Sequence, residues 1–201
     1  MKKLPFIYNI ILYFEVVNSE RINIMYFFKT NYSMILKTIV FQIILSWFGM
    51  MLFVATSESP ALAVIGSVLA IGSYFFIMYD QFWAIGAKNA IKKQSYTLQA
   101  FIAAVLAYLP AMILVVILLI SPAYDATGEA TGSFVFFSVL KSMFMGIFSS
   151  LMKVMNVALK DQNLYFAFAT LMGIFSCFFG YVMGNKEIKI TALMGFKTKT
   201  K

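Results

Sequence analysis

The chain has 201 residues, of which 62% are hydrophobic and only 12% are charged. Soluble domains are about one half apolar and one quarter charged, so this composition leaves little room for a soluble domain and predicts a protein that lies mostly within a membrane. The net charge is +8, and every basic residue except Arg21 is a lysine. Lysines beside apolar segments are typical of membrane topology and of contact with anionic lipids, so we expect membrane lipids and no nucleic acid as partners.

The reactive residue types that most enzymes use are scarce in this chain. Histidine is absent, and Cys177 is the only cysteine. This excludes a disulfide within the chain, a Cys/His metal site and every mechanism that needs a histidine base. Asp125 and Glu129 are four residues apart, but they lie in a Gly- and Thr-rich segment where nothing would bury them and shift their pKa values. We therefore expect no enzymatic activity, no cofactor and no metal.

The first 33 residues differ from the rest of the chain. Lys2 and Lys3 precede the apolar stretch Leu4–Phe14, as in a signal peptide, but no small-x-small cleavage site follows. The stretch is also too short to cross a bilayer. We interpret 1–33 as a cytoplasmic or interfacial segment with a short interfacial helix or a disordered lead-in. A translation start at Met25 is an alternative.

Four apolar stretches follow, each of about the 20 residues that cross a hydrocarbon core of roughly 30 Å. They are Met34–Ala55, Ala61–Phe82, Leu98–Ile120 and Leu164–Met183. The pattern predicts an all-α, polytopic transmembrane helical bundle over residues 34–184, followed by a basic C-terminal tail over 185–201.

The distribution of charge between these stretches predicts their orientation. The segment between the second and third stretches carries Lys88, Lys92 and Lys93, whereas the segments that hold Glu58 and Asp125 carry no lysine or arginine. Basic loops are retained in the cytoplasm, so the N-terminus is predicted to be cytoplasmic. The abundance of Lys, Ile, Phe and Met favours an AT-rich bacterial genome, and hence a multi-pass protein of a bacterial cytoplasmic membrane.

The segment Phe134–Lys160 is amphipathic at the helical period of 100° per residue. Its polar face consists of Ser138, Lys141, Ser142, Gly146, Ser149, Lys153, Asn156 and Lys160. As one helix of 27 residues it would be about 40 Å long, which favours a tilted fifth span and an external C-terminal tail. The alternative is a helix in the membrane plane, with four spans and a cytoplasmic tail.

Three of the apolar stretches carry small residues on a single face. Ala63, Gly66, Ser67 and Ala70 are on the second; Ala100, Ala103, Ala104, Ala107 and Ala111 on the third; Ala169, Gly173, Ser176, Gly180 and Gly184 on the last. Small residues let helix backbones approach closely in lipid. We expect packing within the bundle, with a partner membrane subunit or a second copy of the chain as the alternative.

Two groups of polar residues are candidate sites. The first is a polar cavity between the first stretch and the amphipathic segment, lined by Gln42, Ser46, Ser142, Ser149, Lys153 and Asn156. The second is an interface cluster of Asp80, Gln81, Trp83 and Lys88, where the carboxylate could bind a cation, relay a proton or pair with Lys88. The plainer interpretation of the second is a belt of interfacial residues at headgroup level. Lys141 is expected to extend its amine towards the outer surface.

These features support three functional hypotheses. The first is a non-catalytic accessory or membrane-anchoring subunit, because packing surfaces are plentiful and reactive residues are few. The second is a component of a small-solute transporter with the polar cavity described above. The third is a lipid-surface or immunity-type protein that uses the basic face of Phe134–Lys160 on anionic membranes.

Overall fold

The computed structural model describes the backbone of residues 5–56, 58–121, 129, 131–155 and 159–188, with side chains from Met25 onward except at 53, 150, 153, 154, 159 and 160. Its helices are α1 (Pro5–Thr56), α2 (Pro60–Ile91), α3 (Thr97–Ile120), α4 (Gly132–Met145), α5 (Ser149–Val154) and α6 (Leu159–Asn185), with a 3-10 turn over Gly146–Phe148 between α4 and α5. Every element in these ranges is helical, which confirms the all-α prediction.

Four helices are long and apolar enough to cross a membrane, namely α1, α2, α3 and α6. They contain the four apolar stretches identified in the sequence. The N-terminal segment differs from expectation, because α1 continues without a break from Pro5 through residue 33 to Thr56. No proline or glycine lies between Phe6 and Phe48, so no residue there terminates the helix.

The helix directions follow from pairs of residues in contact. Gly180 lies against the backbone of Tyr79 and Gly184 against that of Trp83, so α6 runs parallel to α2. The Gln42 amide contacts Ala107, and Phe27 contacts Tyr96, so α3 runs parallel to α1. α1 itself runs antiparallel to α2, since Thr38 meets Gln81 while Leu52 meets Gly66.

These directions define two ends of the molecule. The basic end holds the C-termini of α2 and α6, with Lys88, Lys92, Lys93 and Lys186. The opposite end holds the C-termini of α1 and α3 and the N-terminus of α6.

The amphipathic segment is not the single helix that its periodicity predicted. The structure divides it into α4, the 3-10 turn and α5, and residues 156–158 lie outside the described residues. α4 packs on α1 and α3, and α5 packs on α2 and α1. We call residues 132–154 the hairpin segment and Gly146–Phe148 its tip.

The helices that precede and follow the hairpin segment, α3 and α6, meet at the opposite end of the molecule. α4 follows the end of α3. α6 begins where Asn163 lies beside the carbonyl of Leu118, two residues before the end of α3. The tip, in contrast, contacts Gly49 and Tyr74, which lie within α1 and α2. The segment therefore enters from the opposite end, reaches the interior and returns. At 14 and 6 residues, α4 and α5 are about 21 Å and 9 Å long, each shorter than a hydrocarbon core.

The small residues of the three stripes pack inside the molecule. Ala103, Ala104, Ala107 and Ala111 are fully buried against neighbouring helices. A side chain at Gly180 or Gly184 would collide with the α2 backbone, so the closest helix pair is α2 with α6. This agrees with the expectation of packing within the bundle.

Candidate functional site

The buried face of α1 carries three polar residues at intervals of four. Thr38, Gln42 and Ser46 are all 0% exposed. A spacing of four places them on one side of the helix, as the sequence indicated. The Thr38 hydroxyl contacts Gln81 Oε1 of α2 at 3.1 Å and the carbonyl of Met34 at 2.9 Å. The face therefore presents polar groups from near the basic end to the middle of the molecule.

Gln42 directs its amide at α3. Its Nε2 donates to the carbonyl oxygen of Ala107 at 3.1 Å. That carbonyl can only accept, so the NH2 end of the amide must face it. Pro110 lies in the same turn of α3 and lacks the N–H that would bind the carbonyl of Leu106, which loosens the hydrogen bonding there. Gln42 Oε1 is left buried, with no hydrogen-bond partner in the described part of the chain.

Ser46 differs from most of the other helical hydroxyls. Those of Thr38, Ser142 and Thr170 lie within hydrogen-bond distance of the carbonyl one turn earlier on their own helices. This local bond is the usual arrangement for a serine or threonine in an apolar helix. Ser46 Oγ is as deeply buried but has no partner among the described residues.

The tip of the hairpin segment covers Ser46. The place where a Cβ on Gly146 would stand is 3.2 Å from the carbonyl oxygen of Ser46. A Cβ on Gly49 would lie 2.5 Å from Cα of Ile147, so only glycine permits this approach. We call Gln42, Ser46 and Gly146 the central polar site. Ser46 is ten residues from the end of α1, or about 15 Å along the axis, which is half the thickness of a hydrocarbon core.

No known protein family, curated protein or solved structure matches the chain.

Beside the central site is a pair of buried tyrosines that the sequence analysis missed. The Tyr74 hydroxyl donates to that of Tyr108 at 3.0 Å, and both residues are 0% exposed. Tyr108 also lies against Gly173 of α6. The ring of Phe148, from the tip, is 5.6 Å from that of Tyr74. A tyrosine deep in an apolar stretch does indicate a hydroxyl that needs a partner, but no sequence spacing connects positions this far apart.

At the opposite end, Lys141 points into the protein. Its Nζ donates to Asn163 Oδ1 at 2.9 Å and lies 4.1 Å from the centroid of the Phe166 ring. Asn163 Nδ2 in turn lies 3.4 Å from the carbonyl oxygen of Leu118. Burial lowers the pKa of Lys141, which lies outside the four long helices, to about 8. The sequence analysis expected this amine at the outer surface, whereas the structure buries it against the Asn163 amide and the Phe166 ring.

The predicted polar cavity is only partly assembled. Ser46 meets the hairpin segment at Gly146 of the tip, Gln42 contacts Ala107 of α3, and Ser149 is half-buried directly after the tip. Ser142 donates to the carbonyl of Ser138 on its own helix and lies one turn before the tip. The side chain of Lys153 and all of Asn156 lie outside the described residues. The predicted lining residues do not all belong to one helix, because the break at Gly146–Phe148 separates Ser142 of α4 from Ser149 of α5.

The predicted interface cluster does not form one site. Asp80 and Lys88 are both exposed, and eight residues of helix separate them by about 12 Å, too far for an ion pair. Gln81 turns inward to Thr38, while Trp83 Nε1 donates to the carbonyl of Ile188 at 2.7 Å, beyond the end of α6. The four side chains therefore do not share a site.

The basic end is held together by hydrogen bonds between loops and helix ends. The buried Tyr181 hydroxyl accepts from Asn89 Nδ2 at 3.2 Å and from the backbone N–H of Tyr96 at 2.8 Å. Asn185 Nδ2 donates to the carbonyl of Gln94 at 3.0 Å. A surface pocket of about 370 Å³ opens beside this contact. The α2–α3 connection and the end of α6 are thereby joined.

Proposed function

We propose that this protein binds a small polar solute at the central polar site and passes it across a membrane, with the hairpin segment as the gate. The observation that carries the proposal is the helix break at Gly146–Phe148, which packs against the backbone of Ser46 on the part of α1 where Gln42 Oε1 and Ser46 Oγ are buried without a partner among the described residues. Polar atoms without partners are costly in an apolar interior, and a solute that hydrogen bonds them would offset that cost.

The hairpin geometry supports a gating role. Non-helical backbone at membrane depth is found where it is buried in protein or lines a cavity, and broken helices form the solute sites of many transporters. Here the tip fits against Gly49 closely enough to close the site from the opposite end. A solute would reach Ser46 only after the tip moves away from α1.

The orientation belongs to the same proposal. The basic end carries Lys88, Lys92, Lys93 and Lys186, so the positive-inside rule favours placing it in the cytoplasm. The hairpin segment then opens to the exterior of a bacterial cytoplasmic membrane. Four helices cross, and the tail after α6 is cytoplasmic.

The test is solute flux through the purified protein alone. Proteoliposomes of phosphatidylcholine are shrunk osmotically with glycerol, urea or formate, and reswelling is followed by light scattering. We expect reswelling above that of empty liposomes for at least one solute. Gln42→Leu and Ser46→Ala each remove one hydrogen bond from the central site and should slow it about tenfold, since a hydrogen bond contributes about 1 kcal/mol or more.

The matched control is Ser67→Ala on α2. Ser67 is also buried, but its hydroxyl donates to the carbonyl of Ala63 on its own helix, a local bond that Ser46 Oγ lacks. Its loss should leave the flux within about twofold of the original. Equal effects at Ser46 and Ser67 would count against the central site.

The hypothesis of a non-catalytic accessory or anchoring subunit makes the opposite prediction. In that case the lone protein gives no flux of any of the three solutes above empty liposomes. That result would end the transport proposal and leave the accessory role as the better description.

A further inference from the structure

The buried amine of Lys141 lacks a counterion in the described part of the chain. It contacts the Asn163 amide oxygen and the Phe166 ring, and no carboxylate. The acidic residues described near this end of the molecule are Glu58, Glu129 and Asp161, and all three are exposed. Lys141 is only 5% exposed, so water reaches little of its side chain.

The coordination of this amine is also incomplete. An ammonium group has three N–H donors, and Asn163 accepts one of them. The face of Phe166 attracts the charge but accepts no strong hydrogen bond. A buried charge is costly unless an opposite charge accompanies it, and a neutral amide supplies only a dipole.

The place of Lys141 in the hairpin segment connects it to the proposed pathway. It lies in α4, five residues before Gly146 at the tip, and its amine reaches Asn163 in the first turns of α6. A solute that enters from the opposite end and moves to Ser46 would pass along α4. The hydrogen bond between the Lys141 amine and Asn163 also joins the hairpin segment, the gate of the proposed function, to α6.

We propose that Lys141 and Asn163 form a binding site for a small oxyanion, a carboxylate or phosphate group, at the outer entrance of the pathway. The anion accepts the remaining N–H donors of Lys141 and neutralises its charge. This inference deepens the proposed function, because it assigns the solute to the class of small monoanions such as short carboxylates. Charge-assisted hydrogen bonds of this kind are about twice as strong as neutral ones.

The binding test is thermal unfolding of the full chain in phosphatidylcholine nanodiscs with increasing sodium formate, against sodium gluconate at equal ionic strength as the bulky-anion reference. We expect formate to raise the unfolding temperature in a saturable manner, because a ligand that binds only the folded state stabilises it. Lys141→Gln should abolish the rise, and Lys141→Arg should retain it. Lys88→Gln removes the same charge from an exposed site at the basic end and should leave it intact.

Asn163→Asp is the decisive variant, because it keeps the shape of the side chain and gives Lys141 a carboxylate within the protein. We expect it to fold at least as stably as the original chain and to lose the stabilisation by formate. If Asn163→Asp still responds to formate as the original does, or if Lys88→Gln loses the response as Lys141→Gln does, the anion site is wrong.

A second arm distinguishes a free anion from a lipid headgroup. If the anion is a free solute, the protein without formate should unfold at the same temperature in nanodiscs containing phosphatidylglycerol as in nanodiscs of phosphatidylcholine. Stabilisation by phosphatidylglycerol that Asn163→Asp removes, without any response to formate, would identify the oxyanion as a lipid phosphate and overturn the assignment to a solute.

The flux assay separates this inference from the function on which it rests. We expect formate to pass faster than glycerol or urea, and Lys141→Gln to lower the formate flux at least about tenfold while Lys88→Gln leaves it unchanged. Flux of glycerol or urea without any flux of formate would keep the proposed function and reject the anionic solute. No flux of any solute would reject the proposed function itself, whatever formate does to thermal unfolding.

Discussion

The buried polar groups of this protein are of two kinds at the scale of single residues. Most hydroxyls bond their own helix, as Ser142 and Thr170 do, and such bonds carry no information about a ligand. Others meet partners far away in the sequence, as Gln42 meets Ala107 and Lys141 meets Asn163. The sequence singled out Gln42 as a candidate site residue but could not name Asn163, because a neutral amide near a helix start carries no distinguishing pattern.

Tyr108→Phe and Tyr74→Phe are each expected to lower the stability of the fold. The Tyr74 hydroxyl donates to that of Tyr108, so either change leaves one buried hydroxyl without its partner. Each unsatisfied buried group costs about 1–3 kcal/mol. Unfolding in graded mixtures of SDS and mild detergent measures both changes.

The double variant tests whether the two hydroxyls act as a pair. When both hydroxyls are removed, neither is left buried without a partner. The double variant should therefore lose less stability than the sum of the losses in the two single variants. Strict additivity would show that the bond between the two hydroxyls contributes nothing to stability, whatever each hydroxyl contributes alone.

At the scale of elements, apolar length was a sufficient guide to the long helices but not to the hairpin segment. About 20 consecutive apolar residues have few alternatives to a helix in lipid, so α1, α2, α3 and α6 followed from the sequence. The periodicity of the amphipathic segment continues through Gly146, and one glycine costs a helix only about 1 kcal/mol. The break depends on contacts with Gly49 and Tyr74, which belong to other elements.

Gly49→Ala tests the contact that positions the tip. The added methyl group would collide with the backbone of Ile147, so we expect lower stability and a displaced hairpin segment. Gly72→Ala is the matched control, because a Cβ at Gly72 meets nothing within 4 Å. Its effect should be neutral or a gain of up to about 1 kcal/mol from helix propensity. Unfolding in SDS mixtures compares the two, and equal losses would show that the approach at Gly49 does not hold the tip.

At the scale of the whole molecule, the two ends differ in how they are closed. The basic end is joined by hydrogen bonds among Asn89, Gln94, Tyr96, Tyr181 and Asn185. At the opposite end, the contact between Lys141 and Asn163 joins the hairpin segment to α6. The hydrogen bonds of the basic end thus join the α2–α3 connection to α6, whereas the contact at the opposite end joins the hairpin segment to α6.

The position of the C-terminus tests this arrangement in a membrane. α6 runs parallel to α2, so a reporter fused after Lys201 should lie on the same side as one fused after Lys93, and a reporter after Ser121 should lie on the other side. Alkaline phosphatase is active outside the cytoplasm and green fluorescent protein inside, so paired fusions at the three positions give independent readings. We expect the Lys93 and Lys201 fusions to be cytoplasmic and the Ser121 fusion external. A Lys201 fusion on the side of Ser121 would mean that residues 132–154 cross the membrane, and a central site reached from one side by a hairpin could not exist.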